Sequence, residues 1–140
     1  MKVPANVSTS IAFLSYAKIN LYLQVLGRRD DGYHNIETIY QTVDLSDELR
    51  FSLRPREVTL ECAAQALGRP EDNLAWKAAA LLKERCDCDK GVHIELIKRI
   101  PVAAGLAGGS GNAAATLTAL EAPPHVAVNE ILIRPVSQPR

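Results

Sequence analysis

Cysteine is scarce in this chain: Cys62, Cys86 and Cys88 are the only three. An odd, sparse set of this kind excludes a disulfide framework and fits reduced thiols. Cys86-x-Cys88 brings two potential ligands together, but a zinc site wants about four. Neither His93 nor His125 completes a recognisable spacing, so no metal is assigned to the protein's own side chains. Net charge is also missing, because 16 basic residues balance 16 acidic ones. That balance argues against nucleic acid or an anionic membrane as the main partner. Long apolar runs are absent near the N-terminus, where Ile11–Leu14 is too short for a signal segment or a membrane span. These absences predict a soluble, cytoplasmic protein. The sequence carries no signal for an oligomeric state.

What is present is an ordinary globular balance, 47% apolar and 23% charged residues over 140 positions. Ile19, Leu21, Leu23 and Val25 alternate with polar neighbours, the period of a half-buried strand. Gly27 and Asp30-Asp31-Gly32 then mark a turn. A β-rich stretch over Ile36–Val43 follows, then alternation at Leu49, Phe51 and Leu53, and again at Val58, Leu60 and Cys62 beyond Pro55. Consecutive strands of this kind predict antiparallel pairing. Asp72 or Asn73 can cap a helix ending near Arg85, with Leu74, Ala78, Leu81 and Leu82 as its buried stripe. Val92, Ile94 and Leu96 read as a further strand, and the alanine-rich Ser110–Leu120 as a second helix. Strands first and helices later predict an α+β fold with helices on one face of the sheet.

Half of the glycines, Gly105, Gly108, Gly109 and Gly111, fall in one loop, Pro101–Ala114, between that strand and that helix. Glycine lets backbone N–H groups approach a ligand closely, and the next helix adds unpaired N–H groups and the positive end of its dipole. The chemistry this suits is phosphate binding. A Walker A loop is excluded because no lysine follows Gly109 or Gly111. Gly109–Ala114 can be written as GxGxxA, with Glu130 downstream, but that fingerprint should open directly off a strand. A dinucleotide-binding oxidoreductase would moreover alternate strands with helices from the start, unlike the consecutive strands before residue 62. A flexible linker is disfavoured by the buried-looking residues on both sides.

Taken whole, Pro101-x-x-x-Gly105-Leu106-Ala107-Gly108-Gly109-Ser110-Gly111-Asn112-Ala113-Ala114 closely resembles the phosphate loop of the GHMP kinase superfamily. Upstream, Ala17-Lys18-Ile19-Asn20-Leu21 and Asp31-Gly32-Tyr33-His34 resemble the 4-diphosphocytidyl-2-C-methyl-D-erythritol kinases of non-mevalonate isoprenoid biosynthesis. The resemblance runs from about Tyr16 to Leu120. It departs at Ala103 and Ala107, where glycine is common, and at Gly111, where serine is usual. These small-for-small changes are expected to keep the loop slim.

The resemblance implies a fold like domain 2 of ribosomal protein S5, and ATP-dependent phosphorylation of the substrate's 2-hydroxyl, with magnesium. It makes Lys18 the catalytic lysine, otherwise a solvated strand residue. It gives Asn20 and His34 polar contacts to substrate, and Tyr33, otherwise a loop anchor, an aromatic face against the cytosine. ATP would be held by Pro101, Val102, Ala103, Ala104, Gly105, Leu106, Ala107, Gly108, Gly109, Ser110 and Gly111. Ser110 would sit near the magnesium, and Asn73 near the adenine in addition to its role as a cap.

Family members also carry an aspartate in a Gly-Ala-Asp segment beyond the loop, and no aspartate follows Asp89 here. Glycine ends at Gly111, and four of the eight prolines, Pro123, Pro124, Pro135 and Pro139, come after Leu120. Residues 1–120 are therefore expected to form the N-terminal, ATP-binding domain. The tail from 121, where Val126–Ile133 could form a short strand, matches no motif, and the second domain of the family is expected to be absent. The chain alone is expected to be inactive. The alternative is a non-catalytic remnant or weak nucleotide-binding module.

Overall fold

A computed structural model describes residues 10–63 and 68–121. The tail beyond residue 121 and the short strand expected within it lie outside the described residues. Four strands form one sheet in the order β1-β2-β4-β3: β1 (Ser10–Arg28), β2 (His34–Arg54), β3 (Val58–Cys62) and β4 (Gly91–Ile97). Helices α1 (Leu74–Arg85) and α2 (Gly108–Glu121) pack against it. The α+β reading holds. Among the described residues, no helix is long and apolar enough to cross a membrane.

The pairing departs from a simple succession of antiparallel neighbours. β1 with β2 and β2 with β4 are antiparallel, but β3 runs parallel to β4 at the sheet edge. The cause is the intervening helix: β3, α1 and β4 form one crossover unit, and such a crossover returns the chain parallel to its start. β4 thus inserts between β2 and β3. The two β-rich stretches expected between Ile36 and Leu53 are one strand, β2, and the early apolar run Ile11–Leu14 is the opening of β1.

Alternation fixes the buried face. Phe13 and Ala17 of β1, Leu49 and Phe51 of β2, and Val92, Ile94 and Leu96 of β4 are all buried. The Phe13 and Phe51 rings meet edge to face at 6.1 Å. Onto this face the helices lay alanines, Ala75 and Ala79 from α1, Ala115 and Ala119 from α2. The stripe expected on α1 is therefore turned: Ala78 is buried as expected, but Leu74 and Leu81 are exposed, and Ala75 and Ala79 are buried in their place. Small side chains let both helices approach the sheet and each other closely.

Beyond the sheet, β1 and β2 continue alone as a two-stranded ribbon, since β4 pairs only with Glu48–Arg54. Leu21, Leu23, Val25, Ile36 and Ile39 are exposed along it. Its tip is a tight turn in which the Gly32 N–H bonds the Arg29 carbonyl at 3.0 Å, and Gly32 adopts φ +87°, a conformation natural to glycine.

Candidate functional site

A cavity of about 320 Å³ opens where the end of β4, the glycine loop, the first turn of α2 and the start of α1 meet. It is lined by every residue from Pro101 to Ser110, by Asn112, and by Asp72, Asn73, Leu74, Leu96 and Lys98. The first bond inside α2 runs from the Gly111 N–H to the Ala107 carbonyl at 2.8 Å. Helix geometry leaves the N–H groups of Gly108, Gly109 and Ser110 without helical acceptors, and all three residues face this cavity. Together with the helix dipole they form an anion-binding end. Glycine is needed at 108 for space, because a Cβ there would stand 2.8 Å from Lys98 Nζ and 3.0 Å from Ile100 Cγ2.

Three backbone conformations shape the loop. Gly105 has φ +74°, and Ala103 and Ala107 have φ +58° and +62°. The alanines therefore differ from glycine less in bulk than in strain, since an L-residue in the left-handed region costs roughly 1–2 kcal/mol. Gly111 does not line the cavity. It faces β1, where a Cβ would lie 2.7 Å from Ser15 Oγ.

Lys18 joins the loop to the sheet. Its backbone N–H donates to the Leu106 carbonyl at 3.1 Å, and its Nζ donates to the Gly105 carbonyl at 2.7 Å and to Asn20 Oδ1 at 2.8 Å. The ammonium also lies 5.3 Å from the centre of the Tyr40 ring, within cation–π range. Asn20 in turn donates to Thr38 Oγ1 at 2.7 Å, and Thr38 to the Tyr22 carbonyl at 2.7 Å. A chain of fixed bonds thus runs from the loop across β1 to β2. Lys18 holds the loop at Gly105 but is not among the residues lining the cavity; a cation fixed on that loop can stabilise charge developing on a phosphoryl group.

The structure brings Lys18, Asn20 and the loop together, but not Tyr33 and His34. Those two stand at the ribbon tip, where His34 pairs with Arg28 and Tyr33 is 74% exposed. At about 3.3 Å per residue, the ribbon carries them on the order of 30 Å along the strand from Lys18. Asn73 takes the expected cap position, its side chain accepting from the Ala75 N–H at 2.9 Å. It also lines both this cavity and a neighbouring one of about 240 Å³. Ser110 is exposed at the first turn of α2.

Sequence reasoning missed a buried polar hub beneath the loop. Asp47 is fully buried. Its Oδ1 accepts from the Arg99 and Ile100 N–H groups, both at 2.8 Å, and its Oδ2 from Lys98 Nζ at 2.5 Å and Asn112 Nδ2 at 2.9 Å. Burial pushes the Asp47 carboxyl up. The Lys98 ammonium, the Ile100 and Arg99 amides and the Asn112 amide together outweigh it, holding its pKa below the ordinary carboxylate value. Asn112 Oδ1, also buried, has no hydrogen-bond partner among the described residues. Nothing in the local pattern distinguishes Asp47 from the turn-like acidic residues around it, so only the fold could reveal it.

The description "GHMP kinases N terminal domain" belongs to a family model that matches residues 73–131, a stretch covering α1, β4, the loop and α2 and continuing past Leu120. Over these residues the chain carries the N-terminal domain of the GHMP kinase family. Within that family its relatives include the 4-diphosphocytidyl-2-C-methyl-D-erythritol kinases of Thermoanaerobacter pseudethanolicus and Symbiobacterium thermophilum. The first is 52% identical over 107 residues, 76% of this chain and 37% of the relative. The second is 52% identical over 105 residues, 75% of this chain and 37% of the relative. A crystal structure of 4-(cytidine 5'-diphospho)-2C-methyl-D-erythritol kinase superposes with a TM-score of 0.65 at 40% identity, over 84% of this chain and 42% of that one. A homoserine kinase from Cytophaga hutchinsonii, 18% identical with a TM-score of 0.51 over 85% of this chain and 35% of that one, shares the fold. The chain spans well under half the length of the relatives it matches.

Proposed function

We propose that this chain supplies the ATP-binding part of a kinase that phosphorylates the 2-hydroxyl of 4-diphosphocytidyl-2-C-methyl-D-erythritol in isoprenoid biosynthesis. The observation that carries the reading is the direct bond from Lys18 Nζ to the Gly105 carbonyl, which puts a cation at the rim of a loop with free helix-terminal amides. The ATP phosphates lie against Gly108, Gly109 and Ser110. Lys18 faces both the transferring phosphoryl group and the acceptor hydroxyl, and Asn20 orients that hydroxyl. Magnesium fits as the companion of the phosphates, since it usually keeps several waters and takes few protein ligands. Ser110 is the protein donor best placed for it. Bound, it neutralises charge on the phosphate oxygens. Tyr33 and His34 serve the cytosine at the far end of an elongated substrate.

A second reading, nucleotide binding without turnover by this length of chain, is favoured by the partners of Lys18. Its side chain bonds an amide oxygen and a carbonyl, and among the described residues no carboxylate is bonded to it to receive the hydroxyl proton. Incubation with ATP, magnesium and the cytidyl substrate separates the two. The expected result is saturable ATP binding with no product from the chain alone. Turnover of about 1 per second or more, a typical kinase rate, would refute the second reading, and failure to bind ATP would refute both.

A further inference from the structure

We infer that Asp47, Lys98 and Asn112 form a positioning hub that holds the phosphate loop and the first turn of α2 in the geometry that receives the nucleotide. The inference rests on the ATP-binding reading above and deepens it. One carboxylate reaches both ends of the loop: Asp47 Oδ1 takes the two N–H groups that lead into it, at Arg99 and Ile100, and Oδ2 takes the side chain that follows it, Asn112. The fourth contact, Lys98 Nζ, lies under Gly108, at the first position of α2. With the Lys18 bonds at Gly105 and Leu106, the loop is fixed at its entry, its middle and its exit. Asp47 and Asn112 are buried, and the Lys98 side chain is 7% exposed. The hub thus sits in a protected interior where such bonds are strong and a missing partner is costly.

The orientation of each group is forced. A carboxylate only accepts, so Asn112 must turn Nδ2 toward it, which leaves Oδ1 on the other side. Asp47→Asn keeps one oxygen for the Arg99 and Ile100 amides and presents an NH₂ to Lys98 and Asn112, setting donor against donor. It releases the α2 half of the hub and spares the entry half. Asn112→Ala cuts the same tie from the helix side with no new clash. The paired exchange Asp47→Asn/Asn112→Asp returns a carboxylate to the hub, opposite the new amide at position 47.

Amide hydrogen exchange on the intact chain reads the effect directly, because the Gly111 and Lys18 N–H groups donate to loop carbonyls at Ala107 and Leu106. The expected result is exchange at least tenfold faster at Gly111 and Lys18 in Asp47→Asn and in Asn112→Ala, with Ile94 and Leu96 in β4 unchanged. Mg-ATP affinity should fall at least tenfold in both. The paired exchange should bring both quantities back to within about threefold of the parent, as expected for a restored charge-assisted contact. Should Asp47→Asn not fold, Asn112→Ala carries the test. Parental exchange and affinity in Asn112→Ala, or uniform acceleration throughout β4, would overturn the hub as a positioning device. A parent chain that binds no Mg-ATP would instead overturn the functional reading, leaving the exchange pattern to decide the hub.

Discussion

Replacing Ala107 or Ala103 with glycine should stabilise this protein, contrary to the usual effect of adding glycine. Both alanines occupy the left-handed region, at φ +62° and +58°. An L-residue there costs roughly 1–2 kcal/mol, while glycine's extra freedom in the unfolded chain costs roughly 0.5–1 kcal/mol. The difference favours glycine by about 0.5–1 kcal/mol at each site. For a domain of this size that corresponds to a rise in Tm of roughly 2–6 °C per substitution. Gly105→Ala supplies the mirror experiment. Gly105 has φ +74°, and nothing lies within 4 Å of the place a methyl group would take, so its substitution adds strain and no clash. It should therefore destabilise by a similar margin, about 1 kcal/mol. Urea unfolding of the three variants at one pH measures all of these differences in the midpoint at constant slope. A loss of stability in both Ala→Gly variants, or none in Gly105→Ala, would refute the assignment of strain to these backbone conformations.

Other outcomes follow from the same geometry. Lys18→Ala removes the ammonium from Gly105 and Asn20 and should weaken Mg-ATP binding about tenfold, the loss of a charge-assisted bond, while leaving the unfolding midpoint nearly unchanged; calorimetric titration and urea unfolding check the two halves. Gly91→Ala should prevent folding, because its Cβ would run into the backbone of Glu57, and circular dichroism of the purified variant would show it. Acid should destabilise the parent through Asp47. A carboxyl whose pKa is lower in the folded state contributes fully above its unfolded value near 3.8 and loses that contribution as the pH falls through the folded value. Unfolding followed from pH 5 downward should show this acid loss in the parent and a shallower one in Asp47→Asn.

The sequence made the loop legible because glycines, a flanking strand and an alanine-rich helix are local signals, and α2 begins at Gly108, close to the expected Ser110. Asn73 was legible as a cap for the same reason. Three things were not. The place of β4 between β2 and β3 depends on a crossover, which no strand pattern encodes. The face of α1 was legible at Ala78 but misread at Leu74 and Leu81, because leucines draw attention as core residues, whereas here close helix packing selects Ala75 and Ala79 beside Ala78. Asp47 was invisible because its partners Lys98, Arg99, Ile100 and Asn112 are remote in sequence and gather only in the fold. The expectation that alanine at 103 and 107 preserves the loop by being slim also missed the cost, which lies in backbone angle and not in volume.

The central claim is that the nucleotide's phosphates seat on the first turn of α2, beside Lys18. Titration of the isotopically labelled chain with Mg-ATP, followed by amide chemical shifts, tests it most directly. The expected result is saturable shifts concentrated at Gly108, Gly109 and Ser110, with Lys18 and Leu106 moving in the same titration and the β3 edge strand silent. Saturation without movement at Gly108–Ser110, or no saturable shift at all, would contradict it.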